Sequence, residues 1–347
     1  MMVIRPITQN DLAALYRLAA KTGVGFTSLV ADEPILQRKI EAAVRSFSLE
    51  ELNQPGEESY LFVLEDTEAD NIVGVCGLLA TVGYDEPFYS YHLGMVTHSS
   101  RELGVHNVHP TLTLNNDYTG CSEVCTLFLE EDYRHSRNGQ LLSKSRFLFL
   151  AQFPERFTEK IFAEMRGVSD ENGVSPLWES LGRHFFSIDF SRADELTSLG
   201  SKQFIAELMP HNPVYVNLLP PEAREVIGKV HKSTEPARRL LEQEGFRFAD
   251  YVDIFDGGPT LEVFVQDIRA VRESRLALAT VGQPKATDSG TTYLVANSKV
   301  QDFRCIMIQR STPPGSSLVL SDEEAKALNI QNREPVRIVE LSPYSNR

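Results

Sequence analysis

The chain predicts an α+β protein with mixed, mainly antiparallel sheets and a small β module at its C-terminal end. Three observations carry this. Apolar runs of strand length alternate with stretches of helical period up to about residue 275. One run, Thr126–Leu129, feeds a basic turn and then a helix. Helix starts of this kind attract anions through unpaired amides and the helix dipole. Beyond residue 281 the pattern becomes short strands with one short helix.

Composition narrows the class. The 347 residues suffice for two domains and a third small module. Apolar residues at 42% and charged residues at 24% describe an ordinary globular chain. A net charge of −14 argues against a nucleic-acid binder, which needs a basic face. Cys76, Cys121, Cys125 and Cys305 form no CxxC pair and no zinc spacing, so reduced core thiols and no metal are expected. The N-terminus has no apolar core behind a basic start, and no run of eighteen apolar residues occurs. A cytoplasmic protein is the expectation.

The elements follow in order. Val3–Pro6 is a short strand ended by proline, and Thr8 or Asn10 can cap a helix carrying Leu12, Leu15, Leu18 and Ala19. Ile35, Ile40, Ala43 and Val44 place a second helix over 33–47. Tyr60–Leu64 and Ile72–Leu79 are antiparallel strands. Gly74 and Gly77 in the second permit a bulge or a close approach. Residues 84–122 read as a strand pair with long loops. The strand–turn–helix at 125–150 follows, its helix opening at Gln140 and stopping near Pro154. Lys160–Arg166 is a further strand, and Pro176 starts a short helix, PLWESLGRHFF.

A helix followed by Gly-Phe closes a second stretch, EPARRLLEQEGF at 235–246. Before it lie a strand candidate, Val214–Leu219, and the segment 222–230; after it lies Tyr251–Phe255. The repetition suggests two units of one kind, 1–195 and a shorter 196–280. Residues 281–290 (VGQPKATDSG) read as a linker. Strands at 292–296, 303–309, 318–320 and 336–341, with a helix at 322–328, suggest a small β-barrel-like module over 281–347.

The turn has a more specific reading. Arg134, Gly139, Leu141 and Leu142 resemble the acetyl-CoA-binding turn of the GCN5-related (GNAT) N-acyltransferases, Arg/Gln-x-x-Gly-x-Gly/Ala followed by leucines. Arg137 stands where that pattern has its first glycine. "LWESLG…FF" and EPARRLLEQEGF are similar to the family's closing helix and strand. The resemblance implies tandem GNAT-like units with a single CoA site, since the second unit has no phosphate turn. SYLFVLED (59–66), NDYTG (116–120), AEMRGVSDENGVSPLWESLGRHFF (163–186), FIAELMP (204–210), VIGKVH (226–231) and YVDIFDGGPTLE (251–262) together resemble the bacterial arginine N-succinyltransferases, up to about residue 275 and more loosely beyond.

That resemblance implies an enzyme of arginine catabolism. It would move the succinyl group of succinyl-CoA to the α-amine of L-arginine, giving N2-succinylarginine and CoA. Leu127, Phe128 and Leu129 would bind the CoA arm. A main-chain N–H there, aimed at the developing oxyanion, can contribute about 3 kcal/mol. Arg134, Arg137, Asn138, Gly139 and Gln140 would hold the pyrophosphate. His231, at the end of VIGKVH, would transfer the proton; read alone, it is one histidine of eight, at a helix end. A guanidinium calls for a carboxylate that accepts two parallel hydrogen bonds, and Glu164, Asp117, Asp253 and Asp256 are candidates. Glu164 is also a possible base or an ordinary paired carboxylate. Arg166, Arg183 and His184 are candidates for the succinyl carboxylate. No nucleic acid or membrane partner is expected; a homo-oligomer, or a hetero-oligomer with a paralogous subunit, is open. The alternatives are a GNAT acetyltransferase acting on another amine and a catalytically silent subunit of a heteromeric succinyltransferase.

Overall fold

The computed structural model describes residues 1–347 apart from 23–25, 27, 171–172, 190–202, 285–289, 312–313 and 343–347, and apart from the side chains of 203, 204 and 206. Its strands are β1 (Met2–Pro6), β2 (Ser59–Asp66), β3 (Asn71–Leu79), β4 (Ser90–Ser100), β5 (Val105–Asn115), β6 (Ser122–Leu129), β7 (Lys160–Glu164), β8 (Val214–Tyr215), β9 (Arg247–Val252), β10 (Pro259–Phe264), β11 (Arg275–Val281), β12 (Thr291–Asn297), β13 (Cys305–Arg310), β14 (Ser317–Leu320) and β15 (Pro335–Glu340). The helices are α1 (Leu12–Ala19), α2 (Glu33–Ser48), α3 (Asn138–Gln152), α4 (Arg183–Phe186), α5 (Gln203–Leu208), α6 (Pro221–Val226), α7 (Glu235–Gln243), α8 (Arg269–Glu273) and α9 (Asp322–Ala327).

Local chemistry explains the early elements. Thr8 and Asp11 form a capping box on a short 3₁₀ turn that leads into α1. Asp32 caps α2 by accepting from the Ile35 N–H at 2.9 Å, with Pro34 in the first turn. α2 then buries Ile35, Leu36, Ile40, Ala43 and Phe47. Phe47 meets Phe62 of β2 and Phe149 of α3 edge-on, with centroids at 5.2 and 5.9 Å. Each such buried ring contributes roughly 1.5–3 kcal/mol.

One continuous sheet runs through the described residues in the order β14-β11-β15-β12-β13-β1-β2-β3-β6-β7-β10-β9-β4-β5-β8. Most pairs are antiparallel. β6 and β7 are parallel, and they pair only at Ser122–Ile161 and Glu123–Phe162. Beyond those rungs the two strands part, which opens the sheet at its middle.

The two closing patterns do not close two sheets. The second, α7 and Phe246, leads into β9. β9 pairs with β10, and β10 returns along β7 with Leu261 opposite Ala163. The free edge of β7 is therefore completed by the stretch 247–264, across the expected boundary near 195, which itself falls outside the described residues. The first pattern is a π-helical turn, Trp178–Gly182, running into α4. It packs in a separate apolar cluster with Tyr91, Leu112, Ile205, Val226, Val252 and Phe255. The described residues between β7 and α7 thus read as an elaboration seated on the long β4–β5 hairpin. Of the expected strand Val214–Leu219, only Val214–Tyr215 pairs as a strand, and Val216–Leu218 is a 3₁₀ turn.

The tail has the expected strands and helix, with β11 in addition. Its own apolar cluster contains Ala279, Tyr293, Ile306, Leu318, Leu328 and Ile338. It continues the main sheet through β13 and β1, where Ile4 faces Cys305.

Candidate active site

The parting of β6 and β7 produces a cleft of about 1230 Å³. Leu127, Phe128 and Leu129 line one wall, and Ala163, Glu164, Met165 and Arg166 the other. A bulge shapes the first wall. Val75 faces Phe128 and Gly77 faces Cys125, so β6 carries one residue more than β3 across this step. Thr126 takes the left-handed conformation there, at φ 51°. Gly74 is required beside it, since a Cβ would stand 2.9 Å from Leu142 and 3.0 Å from the Phe128 carbonyl.

Arg146 holds the bulge from behind. Its guanidinium is only 1% exposed and donates to the carbonyls of Cys125 at 3.1 Å and Gly77 at 3.5 Å, and to Ser143. No carboxylate pairs with it among the described residues, and burial lowers its pKa. Sequence reading missed it, because an arginine inside an apolar helix stretch has no motif; its place amid LLSKSRFLFL was the available signal.

The turn at 134–140 forms the mouth of the cleft. α3 begins at Asn138, two residues before the expected Gln140. The Gln140 and Leu141 amides close onto the Arg137 carbonyl at 2.9 and 3.0 Å, and the Asn138 amide onto His135 at 3.0 Å. The Ser136, Arg137 and Gly139 amides carry no hydrogen bond among the described residues. Ser136 and Arg137 sit at φ 52° and 66°, the left-handed region a motif glycine would adopt freely. Asn138 is not brought to the cleft: its side chain is 2% exposed and donates inward to the Tyr133 carbonyl at 3.1 Å. Arg134, Arg137, Gly139 and Gln140 do line the cleft. The Arg137 guanidinium reaches to Thr292 of β12, at 3.0 Å from its hydroxyl.

The carboxylate candidates separate. Asp253, Asp256 and Glu164 line the cleft. Asp253 accepts from the Phe255 and Asp256 amides, both at 2.7 Å. Asp256 accepts from Gly167 at 2.7 Å and from Gly258 at 2.8 Å. A Cβ on Gly167 would lie 2.5 Å from Asp256 Oδ1, so glycine there permits the approach. Burial raises both carboxyls above the usual range, and the Asp253 charge raises Asp256 further. Asp117 is exposed, outside the cleft, and accepts from Tyr251 at 2.8 Å.

Arg166 lies in the cleft. Arg183 is half-exposed and paired with Glu179 at 2.9 Å, away from it. His184 is exposed and also outside it. His231 is tied to the same region, its amide donating to the Arg166 carbonyl at 2.9 Å. Its ring caps the 232–234 turn, with Nδ1 accepting from the Ser233 amide at 3.2 Å and lying 2.7 Å from the Ser233 hydroxyl. Ser233 and Thr234 line the cleft, whereas His231 stands one side chain back. Burial, then the charges of Arg166 and Lys232, lower the His231 pKa. Ser233 carried no sequence signal beyond its nearness to VIGKVH.

Among the described residues, no three His, Cys, Asp or Glu side chains converge to hold a metal, and no helix is long and apolar enough to cross a membrane.

The family model described as "Arginine N-succinyltransferase beta subunit" matches residues 2–270, and the one for that subunit's C-terminal domain matches 275–340. Arginine N-succinyltransferase of Escherichia coli (strain 55989 / EAEC) is 50% identical over 341 residues, covering 98% of this chain and 98% of that protein. The protein of the same name from Enterobacter sp. (strain 638) is 50% identical over 343 residues, 99% of this chain and 98% of that one. Among solved structures, arginine/ornithine succinyltransferase subunit AI from Pseudomonas aeruginosa matches with a TM-score of 0.90 at 39% identity, over 99% of both chains.

Proposed function

This chain belongs to the arginine N-succinyltransferase family, and on that premise we propose that it transfers succinyl from succinyl-CoA to the α-amine of L-arginine. It is an acyltransferase of the α+β GNAT-like class. The observation that carries the reading is the family match at 50% identity over 341 residues, which takes in every wall of the parted-strand cleft. The products are N2-succinylarginine and CoA, and the step serves arginine catabolism. Acyl-CoA thioesters are made inside cells, so the reading carries a cytoplasmic location.

The residues fit a thioester of CoA. The open amides of Ser136, Arg137 and Gly139, with Arg134 beside them, suit a diphosphate at a helix start. Leu127, Phe128 and Leu129 offer main-chain groups along the pantetheine arm, as strands left unpaired by the splay do. A main-chain N–H at the bulge would stabilise the oxyanion. Gln140 helps to frame the mouth, and Asn138 fixes the turn from inside.

Asp253 and Asp256, with Glu164 opposite, supply the carboxylates for a guanidinium. Arg166 supplies a cation for the succinyl carboxylate. The amine proton passes to the Ser233 hydroxyl and from there to His231 Nδ1, 2.7 Å away. A C–N bond forms as the C–S bond breaks, and His231 returns the proton to the leaving thiolate through the same hydroxyl.

The test is direct. Purified protein is given L-arginine with succinyl-CoA or acetyl-CoA, thiol release is followed, and the product mass is determined. Succinyl-dependent release with a succinylated arginine is expected. A preference for acetyl-CoA, or CoA binding without turnover, would overturn the reading in favour of an acetyltransferase or a silent subunit.

A further inference from the structure

The tail brings a second depression to the mouth of the cleft. It measures about 430 Å³ and is walled by Ser136 and Arg137 of the turn and by Thr292, Met307, Ile308 and Gln309 of β12 and β13. Ser136 and Arg137 also wall the main cleft, so the two spaces meet at those residues. Thr292 and Gln309 are direct cross-strand partners, and Met307 lies two residues along on the same face. The volume falls within the ~300–1,000 Å³ usual for small-molecule sites.

Its chemistry is a mixture of kinds. Met307 gives an apolar, polarisable surface. Gln309 gives an amide donor and acceptor, Thr292 a hydroxyl, and Arg137 a guanidinium held in place at 3.0 Å from that hydroxyl. A flat heteroaromatic base with a phosphate attached matches this set. The position matters as much. Whatever rests its diphosphate on the open amides of the turn must continue, through one sugar, into space adjoining the turn. The depression is such a space.

We propose that this depression, four of whose six lining residues come from the C-terminal module, receives the phosphorylated adenosine end of the acyl carrier, and that Arg137 serves the sugar phosphate there. The inference rests on the CoA-dependent reading above. It accounts for the arginine at a glycine position. Main-chain amides suffice for the diphosphate, and the left-handed backbone sends the side chain to the tail.

The test uses the full chain and the variants Thr292→Glu and Gln309→Glu. Each sets a carboxylate in the depression, and Gln309 is exposed, so the second change leaves the fold intact. Calorimetry measures affinity for adenosine 3′,5′-bisphosphate. Kinetics compare succinyl-CoA with succinyl-pantetheine, which lacks the nucleotide. Each variant is expected to weaken bisphosphate binding at least tenfold and to raise KM for succinyl-CoA similarly, with succinyl-pantetheine unaffected. No bisphosphate binding by the parent protein, unchanged affinity in both variants, or an equal loss with succinyl-pantetheine would overturn the subsite. If bisphosphate binding depends on these positions while succinyl-CoA and arginine give no turnover, the subsite stands and the reaction reading falls. Normal turnover with indifferent bisphosphate binding gives the reverse.

Discussion

Replacing Glu244 by alanine is expected to destabilise the fold by about 3–5 kcal/mol, although Glu244 touches no cleft residue's chemistry. The side chain is fully buried at the end of α7. It accepts from Lys144 Nζ of α3 at 2.9 Å, from Arg269 Nη2 of α8 at 2.7 Å, and from the Ala270 amide at 2.8 Å. Lys144 also donates to the Leu341 carbonyl at 2.9 Å, and Arg269 to the Glu340 carbonyl at 2.8 Å. One carboxylate therefore joins α3, α7, α8 and the last strand. Its loss leaves two buried cations side by side, opposed by carbonyls and, at Arg269 alone, by the half-exposed Glu273 carboxylate at 3.4 Å. Water cannot reach them, so salt would not mask the effect. The assay is urea unfolding at neutral pH, at low and high salt, with Glu235→Ala as control. Glu235 pairs with Arg239 on the surface at 3.1 Å, where such pairs contribute about 0–1 kcal/mol. Removing Lys144 together with Glu244, by a Met-for-Lys and Leu-for-Glu exchange, should recover part of the loss. A loss below about 1 kcal/mol for Glu244→Ala, or one equal to that of Glu235→Ala, would refute the reasoning.

Further outcomes follow from the cleft. His231→Ala and Ser233→Ala should each lower kcat with little change in succinyl-CoA affinity; wild-type turnover in either would remove it from the proton path. Because the His231 pKa is lowered from 6.5, the acidic limb of kcat/KM should lie below that pH and vanish in His231→Ala. Arg134→Ala should raise KM for succinyl-CoA about tenfold, the worth of one charged hydrogen bond; an unchanged KM would count against the diphosphate placement. The raised pKa values of Asp253 and Asp256 have a definite sign. The folded state keeps protons that the unfolded state has released, so this part of the stability is complete below about pH 3.8 and declines as pH rises through the folded values. Asp256→Asn should flatten that decline, and an identical pH profile in the variant would exclude the pair as its source.

The strand–turn–helix was legible because it is local: an apolar run, a basic turn and paired leucines lie within twenty residues. The tail strands were legible for the same reason. The single sheet was not, because β10 finds β7 across nearly a hundred residues, and a helix followed by Gly-Phe reads alike whether it closes a sheet or pads an insertion. At Gly182 the padding role has a visible cause, since a Cβ would stand 2.2 Å from the Trp178 ring. Among site residues, Asp253 and Asp256 emerged because a Gly-Gly turn follows them. Arg146 and Ser233 did not, since their meaning comes from the bulge and from the histidine behind.

The seam between β1 and β13 bears on how the molecule stays single or chooses company. Without residues beyond 274, β1 would be the outermost strand of the catalytic sheet, with one row of donors and acceptors facing water. Such a border invites any other extended chain, including a sister molecule. By occupying it, the tail moves the sheet's limit out to β14, four residues long and therefore a poor template. A truncated enzyme would accordingly gather into aggregates before it lost its chemistry.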